Sequence, residues 1–418
     1  MPASESPHPN ADVRMRGFAQ RTTVDDALAW VDSALPDFDD LAIEDVSLLS
    51  AAGRVLGRDV TSRINVPGFA RAMMDGFALI AEDTQGATSY NPLPLKILGT
   101  CLPAVPFLGQ IVPGGAVRIM TGAPLPEGAD AVLPIENAQI DGQRVLVMGE
   151  VSPGKHVGQI GEDVRAGDVV ESAGRVLRPQ DIGMLSSLGF SHAPVIHPPR
   201  VRILITGNEL LPMGTPPDGY RITDANGPML AALVSRDGGA SVVAPIVPDD
   251  RDAILAALRE PADVVLVSGG SSVGQEDHVP TLLAEHGELA VHGIAMRPSS
   301  PTGMGRLEGR LVFLLPGNPV SCLCAYDFFA GRAIRALGGR SRDWPYRRVM
   351  ARLSRKLVSV VGRVDYARVH VHGTSAEPLA IGGASVLSSV TRADGFVIVP
   401  MDSEGFPEGT DVEVFLYQ

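Results

Sequence analysis

Four stretches of this chain carry residue types that could bind and act on a phosphate. The first is Ser268-Gly269-Gly270-Ser271-Ser272-Val273-Gly274, followed by Gln275, Glu276 and Asp277. Glycines let backbone approach a ligand closely and turn amide N–H groups toward it, and a helix starting just beyond adds partial positive charge. The second is Thr206-Gly207-Asn208-Glu209, the third Pro316-Gly317-Asn318-Pro319, and the fourth Pro248-Asp249-Asp250. Each alone reads as an ordinary turn or helix cap; Asp249-Asp250 and Asp277 in particular have the form of N-caps. Taken together they favour a nucleotide-like or phosphorylated ligand with Mg²⁺, because carboxylates need a cation to tolerate phosphate.

The elements around them explain why the four could converge. Apolar runs of strand length at Val201–Ile205, Ser241–Val247, Val264–Val267 and Leu311–Leu315 precede the four motifs. Helical patterns alternate with them at Pro228–Arg236, Arg251–Arg259, Val279–Glu285 and Val320–Leu337. Alternating βαβα predicts a parallel sheet covered on both faces, with ligands at the carboxyl ends of its strands. On either side the texture differs. Thr23 and Asp26 cap a helix whose apolar residues run from Val24 to Leu35. A second short helix is expected at Val46–Ala52, and another at Pro179–Leu188. Residues 64–148 show short β-like runs, with Asp141-Gly142 as a hairpin signal. Residues after Trp344 alternate apolar and polar as strands do.

Composition narrows the function classes. The net charge is −13, which argues against a nucleic-acid footprint or an anionic membrane surface. Aromatic residues are 5%, too few for a base-stacking platform. Gly and Pro fill 80 of 418 positions, which predicts many tight turns. The three cysteines, Cys101, Cys322 and Cys324, form no disulfide framework and fit a reducing cytoplasm. No apolar run approaches the length of a membrane span. Residues 1–19 have no apolar h-region and read as a disordered tail rather than a signal peptide.

In order along the chain, seven motifs resemble one family, the MoeA-type molybdopterin molybdenumtransferases, to which the gephyrin E domain is also similar. They are Met-Asp-Gly-Phe-Ala at 74–78, Arg-Ile-Met-Thr-Gly-Ala-Pro at 118–124, Gly-Glu-Asp at 161–163 and Thr-Gly-Asn-Glu-Leu at 206–210. The others are Ser-Gly-Gly-Ser-Ser-Val-Gly at 268–274, Leu-Pro-Gly-Asn-Pro-Val-Ser at 315–321 and Gly-Arg-Val-Asp-Tyr-Ala-Arg at 362–368. The resemblance implies a multidomain α/β plus β architecture. Its parts would be an elongated domain from 20–63 and 149–195, a β domain inserted at 64–148, a molybdopterin-binding α/β domain with a parallel-rich sheet at 196–343, and a C-terminal β domain at 344–418. It implies a homodimer with the active site in a cleft between subunits. The implied reaction takes adenylylated molybdopterin and molybdate and releases AMP, leaving molybdenum on the dithiolene.

In that reading Glu209 and Asp277 would hold Mg²⁺ and act with Asp75 and Thr121 as the catalytic set, the latter two reaching in from the partner. Thr206, Gly207, Asp249, Asp250, Gly269, Gly270, Ser271 and Gly274 would bind the ligand. So would Arg297, Pro298, Ser300, Pro301, Pro316, Gly317, Asn318 and Pro319. The sequence departs from the family pattern mainly by losing positive charge. Ser300 stands where a second lysine is usual, Arg297 replaces the first, and Gly158-Gln159-Ile160 replaces an arginine before Gly161. From Ser268 to Ser300 four acids, Glu276, Asp277, Glu285 and Glu288, face one strong base, Arg297. The alternative is therefore a non-catalytic or altered-specificity paralogue that holds molybdopterin or its molybdenum form as a scaffold or carrier. A molybdoenzyme or an adenylyltransferase would then be its partner. A third reading is an adenylyltransferase, to which the α/β domain is similar.

Overall fold

The structure, a computed structural model, describes residues 21–269, 278–380 and 383–417. It divides into two compact units. One holds the chain up to Asp45, Gly53–Gly57 and everything from Pro194 onward; the other holds Val46–Ala52 and Arg58–Ala193.

In the first unit a six-stranded sheet runs in the order Ala240–Val243, Arg200–Ile205, Val264–Ser268, Arg310–Leu315, Gly303–Leu307, Glu288–His292. The first four are parallel and the last two antiparallel to their neighbours. The antiparallel edge is invisible to a reading that looks only for βαβ units. Side chains alternate between two cores. Ile203, Ile205, Val264 and Leu266 face Leu230, Val234 and Phe329, while Leu204, Val265 and Val267 face Ile254, Leu258 and Leu282. Each such fully buried side chain is worth about 1.5–3 kcal/mol, which is why uninterrupted Val/Leu/Ile runs form these strands.

Two elements differ from expectation for local reasons. The run at 241–247 forms a strand only over Ala240–Val243, because Pro245 has no N–H to give to the ladder. It returns at Val247, which bridges Thr206. The helix expected over Val320–Leu337 is Pro319–Ala325 and Gly331–Leu337 with a π turn at Tyr326–Ala330 between them. That turn points Asp327 into the core, where it is fully buried.

Downstream, the C-terminal strands Val364–His372, Ser375–Ala380, Arg347–Leu353, Asp411–Leu416 and Gly395–Val399 pair in that order. Val364–His372 also pairs with Gly395–Val399, closing a barrel. Met296–Arg297 adds to it beside Val364–Asp365, so the loop after 296 is anchored on the barrel.

The second unit is built on a sheet ordered Ala131–Pro134, Gly76–Leu79, Gly115–Ile119, Leu93–Cys101, Arg144–Val147, Ala138–Asp141. Asp141-Gly142 makes the expected hairpin, with Gly142 at φ 57°. Outside it, Val60–Thr61 pairs with Val169–Glu171, joining segments more than 100 residues apart. Gly76 is required by close approach: a Cβ there would lie 1.9 Å from the Leu133 carbonyl oxygen. Gly76→Ala is therefore expected to destabilise this unit by about 3 kcal/mol. Urea denaturation followed by a probe in residues 58–193 checks it.

Candidate active site

The parallel register sets the site. Ile205 sits beside Ser268, and Ser268 beside Leu315, so the three strands end level. Thr206 donates its N–H to Ser268 O (3.0 Å), Val247 to Ile205 O (2.9 Å), and Gly269 to Leu315 O (3.4 Å). Four expected ligand-binding loops thus leave one edge of one sheet, as the βαβ reading requires.

Gly269 is the tightest point. Its φ is 101°, and a Cβ would lie 2.2 Å from the Thr206 carbonyl oxygen and 2.8 Å from Thr206 Oγ1. Gly317 sits opposite, with Gly269 Cα 3.8 Å from where its own Cβ would be. Pro316 is buried, and Gly317 and Asn318 are exposed ahead of the helix that begins at Pro319. Gly270, Ser271, Gly274 and Asp277 lie outside the described residues.

The acids at this edge have separate tasks. Asp250 caps its helix, accepting from the Ala253 N–H at 2.9 Å. Asp249 instead accepts from Asn208 N–H at 3.0 Å, tying two of the loops. The Glu209 carboxylate is exposed and folds over Gly207. No hydrogen bond or ion pair to it occurs among the described residues, so its oxygens are open to a cation. No group of three or more His, Cys, Asp or Glu that could hold a metal occurs among the described residues. A single exposed carboxylate is a donor of the kind Mg²⁺ takes alongside waters and substrate phosphate.

Residues that the sequence did not single out complete the floor. Asp224 Oδ1 accepts from the N–H groups of Asn226 (2.9 Å) and Gly227 (3.0 Å), starting the helix Asn226–Arg236. Asn226 Nδ2 donates to Ser268 Oγ (2.9 Å) and Gly317 O (2.7 Å). The Asp-Ala-Asn-Gly run is a cap signal that could have been read. Beneath Ser268, burial pushes the Cys322 thiol up to about 12. Cys322 and Cys324 are buried packing residues, as expected, and not nucleophiles.

The 297–301 loop is a turn whose arginine already has a carboxylate partner. Arg297 donates to Asp365 Oδ2 at 2.6 Å, and the same carboxylate accepts from Ser359 Oγ (2.7 Å) and Arg363 Nε (3.1 Å). Asp365 is fully buried. The Arg297-Pro298 peptide is cis. Ser299 adopts φ 89°, a left-handed conformation that glycine occupies more readily, and its hydroxyl donates to Ser321 O. Ser300 Oγ is buried with no partner among the described residues, and Pro301 is half-buried.

In the second unit the structure brings Asp75 and Thr121 together. The antiparallel pairing of Gly76 with Ile119 places them at adjacent strand ends. Thr121 donates both its N–H and its hydroxyl to Asp75 Oδ1, each at 2.7 Å. These bonds, with Arg118 nearby, hold the Asp75 carboxyl below its usual range. It is therefore an exposed carboxylate that stays ionised, with Oδ2 left for a ligand. Glu162, in the Gly-Glu-Asp motif, pairs with Arg71 at 3.1 Å.

Comparison with known proteins bears on the whole chain. Residues 22–189 match the MoeA N-terminal region (domain I and II), 202–336 a probable molybdopterin binding domain, and 350–417 the MoeA C-terminal region (domain IV). A putative molybdopterin biosynthesis protein of Methanocaldococcus jannaschii is 34% identical over 90% of this chain and 92% of its own. Molybdopterin molybdenumtransferase 2 of Mycobacterium tuberculosis is 34% identical over 88% of this chain and 94% of its own. The crystal structure of a molybdopterin biosynthesis MoeA protein from Pyrococcus horikoshii superposes with a TM-score of 0.83 at 32% identity, covering 96% of this chain and 100% of that one. Motif order, level strand ends and full-length similarity agree, and the chain belongs to the MoeA-type molybdopterin molybdenumtransferase family.

Proposed function

We propose that this protein inserts molybdenum into molybdopterin, taking the adenylylated pterin and molybdate as substrates and releasing AMP. The observation that carries the reading is the level array of Thr206, Val247, Ser268 and Leu315, whose loops meet at Gly269 and Gly317. At Gly269 bare backbone can face a phosphate or pterin, and the helices starting at Asn226 and Pro319 add partial positive charge there. Thr206, Gly207, Asp249 and the 316–319 turn would seat the ligand.

Glu209 and Asp277 would hold Mg²⁺, which when bound neutralises charge at the phosphoanhydride. Asp75, kept ionised by Thr121, would accept at Oδ2 the proton of a water that attacks the phosphoanhydride, whose bridging P–O bond breaks to separate AMP from the pterin phosphate. The proposal includes a homodimer in which the partner subunit's Asp75 and Thr121 complete the crevice. A reducing cytoplasm suits the buried free thiols. Asp75→Ala is expected to lower turnover at least about 100-fold, as loss of a positioned base does, with only a small fall in Tm because its side chain is exposed. Mixing Asp75→Ala with Glu209→Ala subunits should restore about a quarter of the wild-type sites, since half of the dimers would carry one intact site. No recovery on mixing would contradict the shared site.

One observation favours the scaffold alternative: Arg297 is tied to Asp365, leaving a hydroxyl, Ser300, where an oxyanion would be met by charge. Tight pterin binding without AMP release would establish that reading. ATP-dependent adenylylation of molybdopterin would establish the adenylyltransferase instead.

A further inference from the structure

Asn226, at the start of a helix, touches the end of one strand and the turn that follows its neighbour. It is 7% exposed, and Ser268 is 1% exposed. The Gly317 carbonyl can only accept, so the bond to it fixes which amide atom is nitrogen and turns Oδ1 the other way. The same nitrogen reaches Ser268 Oγ, immediately before Gly269. Asn226 itself is held at the helix start by Asp224, whose carboxylate folds over Gly227 with no room for a side chain there (Asp224 Oδ2 would be 2.3 Å from a Cβ). Its backbone is therefore fixed by the helix and its amide by the two loops.

Two buried polar atoms at this point, Asn226 Oδ1 and Thr206 Oγ1, have no partner among the described residues. Thr206 is 2% exposed. An unpaired buried polar atom forfeits its hydration without a bond in return. A ligand supplying their partners would regain part of that.

We propose that Asn226 is a positioning residue for the ligand crevice, setting the separation of the Ser268–Gly269 loop from the Pro316–Pro319 turn before the ligand arrives. The inference rests on the function proposed above for this crevice. Asn226 touches no reacting atom in this reading, so its removal acts on ligand binding and not on the chemical step. Asn226→Asp keeps the shape but sets a carboxylate oxygen against the Gly317 carbonyl; Ser268→Ala removes only one of the two bonds.

The test measures steady-state AMP release and equilibrium binding of AMP by calorimetry for the wild type and both variants. The expected result for Asn226→Asp is a KM and an AMP Kd raised at least tenfold with kcat within twofold. Ser268→Ala should raise them less than threefold. A structural role alone lowers the folded fraction, which reduces apparent kcat and leaves KM unchanged; that outcome, or unchanged AMP binding, overturns the inference. Wild type that binds AMP but releases none from the adenylylated pterin defeats the functional proposal, while the binding comparison still decides the role of Asn226.

Discussion

Gly269→Ala should abolish turnover and destabilise the α/β unit by about 3 kcal/mol, the sum of left-handed strain and overpacking. The added methyl would meet the Thr206 carbonyl oxygen at 2.2 Å, in a backbone held at φ 101°. Neither partner can retreat, because Thr206 and Gly269 both sit in the sheet ladder next to Ser268 and Leu315. The loop must move, and with it the backbone meant to face the ligand. Gly317→Ala is the control. Its φ is not positive and, among the described residues, its Cβ would meet only Gly269 Cα, at an ordinary 3.8 Å. That variant should stay within about 0.5 kcal/mol of wild type. Guanidinium unfolding and ligand calorimetry on the pair separate a glycine required by the chain from one that is merely tolerated.

The second large effect lies in the core of the same unit. Asp327 is fully buried on the π turn. It accepts from Arg236 Nη2 (3.1 Å) and the Tyr346 hydroxyl (3.0 Å), and its carbonyl accepts from Trp344 Nε1 (2.8 Å). Burial pushes its carboxyl up to about 6, against the opposing pull of Arg236. Asp327→Ala leaves the Arg236 guanidinium with less compensation and should destabilise by about 3–5 kcal/mol, the usual result of breaking a buried pair. In a unit of this size that is a Tm fall of about 10 °C.

The pH dependence has a definite sign. A carboxyl raised in the folded state binds its proton more tightly there than in the unfolded chain. Its contribution is present at low pH and lost as pH rises from the ordinary carboxyl value of 3.8 toward about 6. Relative to Asp327→Asn, wild type should therefore lose stability between pH 4 and pH 7. Flat difference curves from urea melts across that range would contradict this. Comparing the two variants removes the opposite trend from carboxylates such as Asp32 and Asp181, which arginines hold below their usual range.

Much of this was legible in the sequence, because it depends on periodicity and turn chemistry. The runs at 201–205, 264–267 and 311–315 gave strands nearly at their observed bounds, and Thr23 caps its helix through Asp26 as expected. The family pattern places Asp75 and Thr121 in one site but not in contact; the intervening 45 residues carry no local signal that the two strand ends meet. The contact of Asp365, a residue of the 362–368 motif, with Arg297 is unreadable for the same reason. It depends on the parallel addition of Met296–Arg297 to the C-terminal barrel, 68 residues away in sequence. The π turn was missed because helical periodicity is nearly preserved across it. Asn226 was missed because a polar residue at a helix start reads first as a cap.

The central claim is that the crevice couples cleavage of the adenylylated pterin to capture of molybdenum. Purified protein given adenylylated molybdopterin, Mg²⁺ and molybdate should release one AMP for each molybdenum retained on the pterin, with AMP measured by chromatography and metal by mass spectrometry. AMP release that requires molybdate, at a ratio of one to one, is the predicted result. Ligand retained with no AMP released, or AMP released without bound molybdenum, would contradict it.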